Sequence, residues 1–252
     1  MVLAFLFFMT ALLYACIGFG GGSTYNALLV LGDTDYQLIP IISLICNIVV
    51  VSGGVWHFSK EGHIRLPRIA PWIVFSVPAS FAGGLIPVPE VIFTGVLGFA
   101  LLLSGVRLLW PEREDPSFPN PKAPQHRFMP AIFGTLLGLL AGITGIGGGI
   151  FLAPVLHFIR WGNAKQIAGA CAFFILVNSL AGLTGQALKI ENTDVFSALS
   201  PYWILLPAVL VGGQIGSWLG AVQINMSMVK KMTALLILYV SIRLIMKFIN
   251  ML

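Results

Sequence analysis

Eight long apolar runs follow one another along the chain, at 2–31, 37–58, 69–86, 91–110, 129–159, 167–188, 202–222 and 229–249, and little sequence is left between them. An α-helix needs about 20 such residues to cross the hydrocarbon core of a bilayer. The composition decides against the alternative of a soluble helical core. Of 252 residues, 58% are hydrophobic and 9% charged, where a soluble domain carries roughly 25% charged residues. So few charges cannot clothe a surface facing water. The expectation is an all-α membrane protein with the lipid bilayer as its surroundings and its function inside the membrane. The first run, MVLAFLFFMTALLYACIG, lacks the basic start of a cleaved signal peptide and is expected to remain as structure.

Four runs lie on each side of a hydrophilic segment, PEREDPSFPNPKAPQHR, whose charges and prolines suit neither a helix nor a bilayer. Residues 1–110 therefore read as a first membrane repeat, 111–128 as a cytoplasmic linker and 129–252 as a second repeat. Landmarks recur in order between the halves. Gly18-Phe19-Gly20-Gly21-Gly22 returns as Gly145-Ile146-Gly147-Gly148-Gly149, Asn47 as Asn178, Gly83-Gly84 as Gly212-Gly213, and Arg107-Leu108 as Arg243-Leu244. Duplication around the membrane midplane is a transporter architecture, with the binding site where the repeats meet.

The first and fifth runs are half as long again as one crossing requires, and each carries its glycine cluster near the middle. Glycine triplets weaken a helix, so each of these runs is expected to break into two half-helices at an unwound turn inside the protein. Two topologies follow. If both broken runs re-enter, all of the fourteen Lys and Arg residues except Lys189, Arg243 and Lys247 lie inside, eleven against three. If both cross, the count is ten against four. The first obeys the positive-inside bias better and also accounts for the extra length. It makes the two four-segment repeats inverted and puts both termini outside. Trp56, Trp72, Trp110, Trp161 and Trp203 fall near span ends, where interfacial aromatic belts form.

The glycine breaks carry the chemistry. A half-helix beginning after glycines turns unpaired N–H groups and the positive end of its dipole toward whatever fills the break. Bare glycine backbone lets a small anion come close. Gly20, Gly21, Gly22, Gly147, Gly148 and Gly149 are therefore the leading substrate-binding candidates. The competing reading is tight helix crossing by small residues. Asn47 and Asn178, at corresponding depths, offer amide donors that add no charge, against a role in helix-to-helix hydrogen bonding. Ser23, Thr24 and Thr144 border the breaks and offer hydroxyls, unless these return to the preceding turn of their own helices. Gln186 and Gln214 rank below them.

The duplicated G-x-G-G-G element, followed in the second half by Pro154, on eight apolar runs around a hydrophilic linker, resembles the sulfite exporter TauE/SafE family over nearly the whole chain. The first half departs from this pattern with Ala27 in the place of Pro154. The resemblance implies a permease for sulfite, for sulfonates such as sulfoacetate, or for related small organic acids. With it, the chain reads as a secondary transporter in the cytoplasmic (inner) membrane of a bacterium or archaeon. Its partners would be a small anionic substrate and a coupling proton or cation. The alternatives are a helical scaffold for other membrane proteins and a carrier of another sulfur compound such as thiosulfate.

Other classes find little support. No span contains a Ser/His/Asp, Cys/His or paired-carboxylate set, so the chain is not expected to be an enzyme. No metal-ligand spacing appears, no cofactor is implied, and no basic cluster suits nucleic acid. Cys16, Cys46 and Cys171 lie in apolar runs where packing is their ordinary use. Arg107, Arg243, His57 and His157 sit near span ends, where long or amphipathic side chains reach the interface.

Overall fold

The computed structural model describes residues 1–109, 128–189, 198–222 and 226–251, with the side chains of 226–230 left aside. Trp110 and the Pro111–Arg127 linker lie outside the described residues. Within them the chain forms α1 (Val2–Cys16), α2 (Gly22–Leu31), α3 (Ile39–Lys60), α4 (Leu66–Leu85), α5 (Glu90–Leu109), α6 (Met129–Thr144), α7 (Gly149–Phe158), α8 (Ala164–Lys189), a short 3-10 turn (Ser200–Tyr202), α9 (Leu205–Val222) and α10 (Met226–Met251), and no strand. Five stretches, Ile39–Lys60, Glu90–Leu109, Ala164–Lys189, Ser200–Val222 and Lys231–Met251, are long and apolar enough to cross a membrane.

The two overlong runs are divided where the glycines stand. α1 and α2 have 15 and 10 residues, α6 and α7 have 16 and 10. At 1.5 Å per residue a ten-residue helix covers about half of a ~30 Å hydrocarbon core. Gly21 at φ +91° and Gly148 at φ +81° immediately precede α2 and α7. An L side chain there would cost roughly 1–2 kcal/mol, so the turn selects glycine.

Glycine also sets how the helices pack. Gly134, Gly138 and Gly142 of α6 rest on the backbone carbonyls of Trp72, Ser76 and Ser80 of α4, so closely that a Cβ on Gly138 or Gly142 would overlap them. Gly212, Gly216 and Gly220 of α9 rest in the same way on the carbonyls of Phe8, Leu12 and Cys16 of α1. Both contacts keep step at four-residue intervals, so each pair runs parallel. Small residues four apart let helix backbones approach without a hydrophobic drive, which lipid does not supply. α3 and α8 cross antiparallel at the centre, with Gly54 next to Ala172 and Gly182 next to Leu44. α5 and α10 pair antiparallel through Gly95, Gly98 and Gly105 against Phe248, Ile245 and Leu238.

Polar contacts fix the ends. Tyr202, just before α9, donates its hydroxyl to Thr34 after α2 at 3.1 Å, so α2 finishes at the end of the bundle where α1 and α9 begin. Lys247 of α10 donates to the Val30 carbonyl at 2.7 Å and pairs with Asp33 at 3.1 Å at that same end. At the other end the Arg68 guanidinium lies 4.8 Å from the Trp161 ring centre, which brings the end of α7 beside the start of α4. Lys165 there donates to the Ala221 carbonyl at 2.9 Å. Apolar side chains such as Val74, Phe99, Leu103, Leu210 and Leu235 are exposed, whereas Ser43, Asn47, Asn178 and Ser179 are buried. Apolar outside and polar within is the arrangement a lipid surrounding selects. Of the tryptophans read as interfacial, Trp56 and Trp203 are exposed, but Trp72 and Trp161 are buried as packing residues.

Backbone contact through glycine predicts a contrast. Gly138→Ala and Gly216→Ala each place a methyl against a carbonyl and should destabilise by about 1–3 kcal/mol. Gly54→Ala meets the Ala172 methyl at 3.5 Å and Ser217 Cβ at 4.0 Å, both ordinary contacts, and should be neutral or stabilising by up to about 1 kcal/mol from helix propensity. Thermal unfolding of the three variants in one detergent measures the difference, and equal midpoints would remove the glycine stripes as the packing device.

Candidate functional site

Two helix N-termini point into the interior without caps. No side chain caps α2 or α7. Among the described residues, no backbone carbonyl takes up the N–H groups of Gly20, Gly21, Gly22 and Ser23, or those of Gly147, Gly148, Gly149 and Ile150. Each N-terminus therefore presents a set of orphan donors with the positive end of the helix dipole behind it. Buried orphans of this kind call for a partner.

Asn47, near the middle of α3 and fully buried, joins the two breaks. Its amide oxygen and nitrogen lie where Cβ atoms on Gly20 and Gly22 would be. Its Nδ2 donates to the Ile146 carbonyl at 3.1 Å and more weakly toward Gly145 at 3.4 Å. The absence of side chains at Gly20 and Gly22 is thus what admits the asparagine. Asn26 of α2, which sequence reasoning passed over, donates its amide to the Thr144 carbonyl. Two asparagines from the first half consequently hold three successive carbonyls, Thr144, Gly145 and Ile146, at the end of α6.

The second half does not mirror this. Asn178 donates Nδ2 to Phe174 in its own helix at 2.8 Å, and its backbone carbonyl accepts from Ser80 at 2.8 Å. Residues beside it in α8 do reach the second break: Phe174 approaches Gly148, and Ile175 and Ser179 approach Gly147. The hydroxyls named from sequence are engaged locally. Tyr14 shares a 2.6 Å hydrogen bond with Thr24 and accepts one from Ser23 at 3.2 Å, which stitches α1 to α2. Thr144 bonds back to Leu140 at 2.6 Å. Unpartnered buried atoms instead include Tyr25 OH, Ser43 Oγ, Ser179 Oγ and the Oδ1 atoms of Asn26, Asn47 and Asn178. Serine hydroxyls at helical spacing are too common in membrane helices for sequence to have singled out Ser43 and Ser179.

Charge is segregated away from this centre. Lys60, Arg65, Arg68, Arg160 and Lys165 stand at the Trp161 end. His63 there is held below the ordinary histidine pKa, by desolvation first and by Lys165 second. Asp33, Asp35 and Glu90 line a cavity of about 310 Å³ at the Tyr202 end together with Lys247, and no residue of either break lines it. Among the described residues no group of His, Cys, Asp and Glu is arranged to hold a metal ion.

Residues 3–244 match the family model described as Sulfite exporter TauE/SafE. The chain belongs to the TauE/SafE family. It is 32% identical over 246 residues to a probable membrane transporter protein of Sinorhizobium fredii, covering 96% of this chain and 97% of that one. A second probable membrane transporter protein, from Haemophilus influenzae, is 32% identical over 122 residues, 46% of each chain. No solved structure matches. As a TauE/SafE protein the chain is a membrane transporter and an integral membrane protein, in agreement with its apolar helices.

The bridging role of Asn47 has a measurable consequence for this TauE/SafE chain. Asn47→Ala leaves buried carbonyls at the second break without donors and should cost about 1–3 kcal/mol. Asn178→Ala removes a bond within one helix and should cost less than about 1 kcal/mol. Unfolding midpoints in detergent report the difference. Equal losses would show that Asn47 does not tie the breaks together.

Proposed function

We propose that the protein is a secondary transporter that moves a small anion, sulfite or an organosulfonate such as sulfoacetate, by alternating access around a site between the two glycine breaks. The observation that carries this reading is the convergence on Asn47 of two uncapped helix N-termini with eight orphan N–H groups between them. Helix N-termini take anions through exactly these groups, N–H donors backed by the dipole. The family name supplies the substrate class.

The architecture that would serve it is a pair of inverted repeats, 1–110 and 129–252, with α1–α2 and α6–α7 as re-entrant hairpins. Reciprocal pairing supports this: α1 lies on α9 as α6 lies on α4, and one hairpin returns to the Tyr202 end while the other returns to the Trp161 end. Hairpins reaching the middle from opposite sides suit alternating access, since each can open the centre to its own side. The cations at the Trp161 end support a cytoplasmic location for that end, in an inner membrane. Nothing in this scheme asks for covalent chemistry, and flux is coupled to a proton or cation that offsets the anion's charge.

Two measurements test the proposal. Proteoliposomes holding the purified chain should take up labelled sulfite or sulfoacetate, and absence of flux for both under imposed proton and sodium gradients would remove the anion reading. For orientation, a cysteine introduced at Gln37 should react with an impermeant maleimide in intact cells, while one at Gly62 should react only after permeabilisation. The reverse pattern would invert the topology.

A further inference from the structure

The breaks hold orphan acceptors as well as orphan donors. Asn47 commits its Nδ2 to the Ile146 carbonyl, and Asn26 commits its own to Thr144. These bonds fix the orientation of both amides, because turning either one would set its oxygen against a carbonyl oxygen. Asn47 Oδ1 is left without a partner in a residue of zero exposure, 2.3 Å from the place of a Cβ on Gly20 and 3.0 Å from that of one on Gly22, at the start of α2. Asn26 Oδ1, Ser43 Oγ and Ser179 Oγ are likewise unpartnered, and Ser179 Oγ lies 2.8 Å from the place of a Cβ on Gly147.

An anion made only of acceptor oxygens satisfies the N–H groups and leaves the amide oxygen of Asn47 facing it, lone pair to lone pair. A solute that carries both a negative group and a hydroxyl or amine satisfies both sets. A metal cation also binds amide oxygens, but here the positive ends of two helix dipoles converge and no carboxylate is present to offset them. We infer that the centre selects anions bearing a hydrogen-bond donor: hydroxy- or amino-substituted sulfonates, or a singly protonated oxyanion in preference to its fully ionised form. Asn47 Oδ1 is the discriminating acceptor. This selectivity rests on the anion-transport reading above and narrows its substrate class.

The test is competition against labelled sulfite uptake in proteoliposomes by 2-hydroxyethanesulfonate and by ethanesulfonate, which share charge and carbon skeleton and differ by one hydroxyl. A site that pairs a substrate hydroxyl rejects the analogue lacking it. The hydroxylated compound should therefore inhibit at least roughly tenfold more potently, as expected for one buried hydrogen bond. In Ser179→Ala, a small change that leaves the Asn47 bridge in place, the discrimination should persist. In Asn47→Ala, where that variant assembles, it should fall to about parity with the loss of one acceptor. Equal inhibition of the parent protein by the two sulfonates overturns the inference while sulfite flux upholds the anion reading. Equal inhibition that also requires sodium overturns it in favour of a cation on the amide oxygens. Failure of both sulfonates to compete overturns it together with the sulfonate class, and absence of sulfite flux as well removes the anion reading itself.

Discussion

In hydrocarbon every backbone N–H and C=O must find a partner within the protein, and an interrupted helix survives only where its freed groups are answered. Here the answer for the second break is given by the first half of the chain. Asn26 and Asn47 take up the carbonyls of Thr144, Gly145 and Ile146. The interruption at α6–α7 therefore depends on α2 and α3 being in place, and the two halves cannot be understood as independent bundles. The N–H groups on the far side of each break are left over by this arrangement, and under the proposed function they are the groups that receive the anion.

Glycine plays two separate parts in this molecule. At Gly21 and Gly148 it allows a left-handed backbone, and at Gly20 and Gly22 its missing side chain makes room for Asn47. On α6 and α9 it forms stripes that bring backbones together. Close backbone packing is met by these stripes, and also at the breaks themselves, where Gly18 lies against the Ala168 carbonyl and Gly145 against the Pro40 backbone. The stripes sit on α6 where it lies against α4 and on α9 where it lies against α1. The solitary bridging role of Asn47 and the contrast of Ala27 with Pro154 make the halves unequal.

Much of the helix plan was legible because it is a property of single segments. The apolar runs set the extent of α3, α5 and α8 to within three residues at either end, and glycine density marked both interruptions. The partners of polar side chains were not legible, because they depend on which helix lies alongside. Asn26 attracted no notice in an apolar stretch, yet it holds Thr144 more than a hundred residues away. Ser23 and Thr24 offered hydroxyls at the right place, but Tyr14 lies close enough to engage them. Asn47 and Asn178 match in sequence, and only packing reveals that one reaches across to a carbonyl of the other half while the other turns back into its own helix.

The order in which the helices leave the ribosome treats the two hairpins differently. α6 finds α4, its backbone partner, already made. α1 must wait for α9, and the end of α2 waits for Lys247 of α10 to reach the Val30 carbonyl. Until α9 and α10 have been made, the first hairpin is thus a short, glycine-interrupted element with neither its backbone cradle nor its clasp. α10 closes on the end of α2, so the first hairpin acquires its native surroundings only after more than two hundred further residues have followed it.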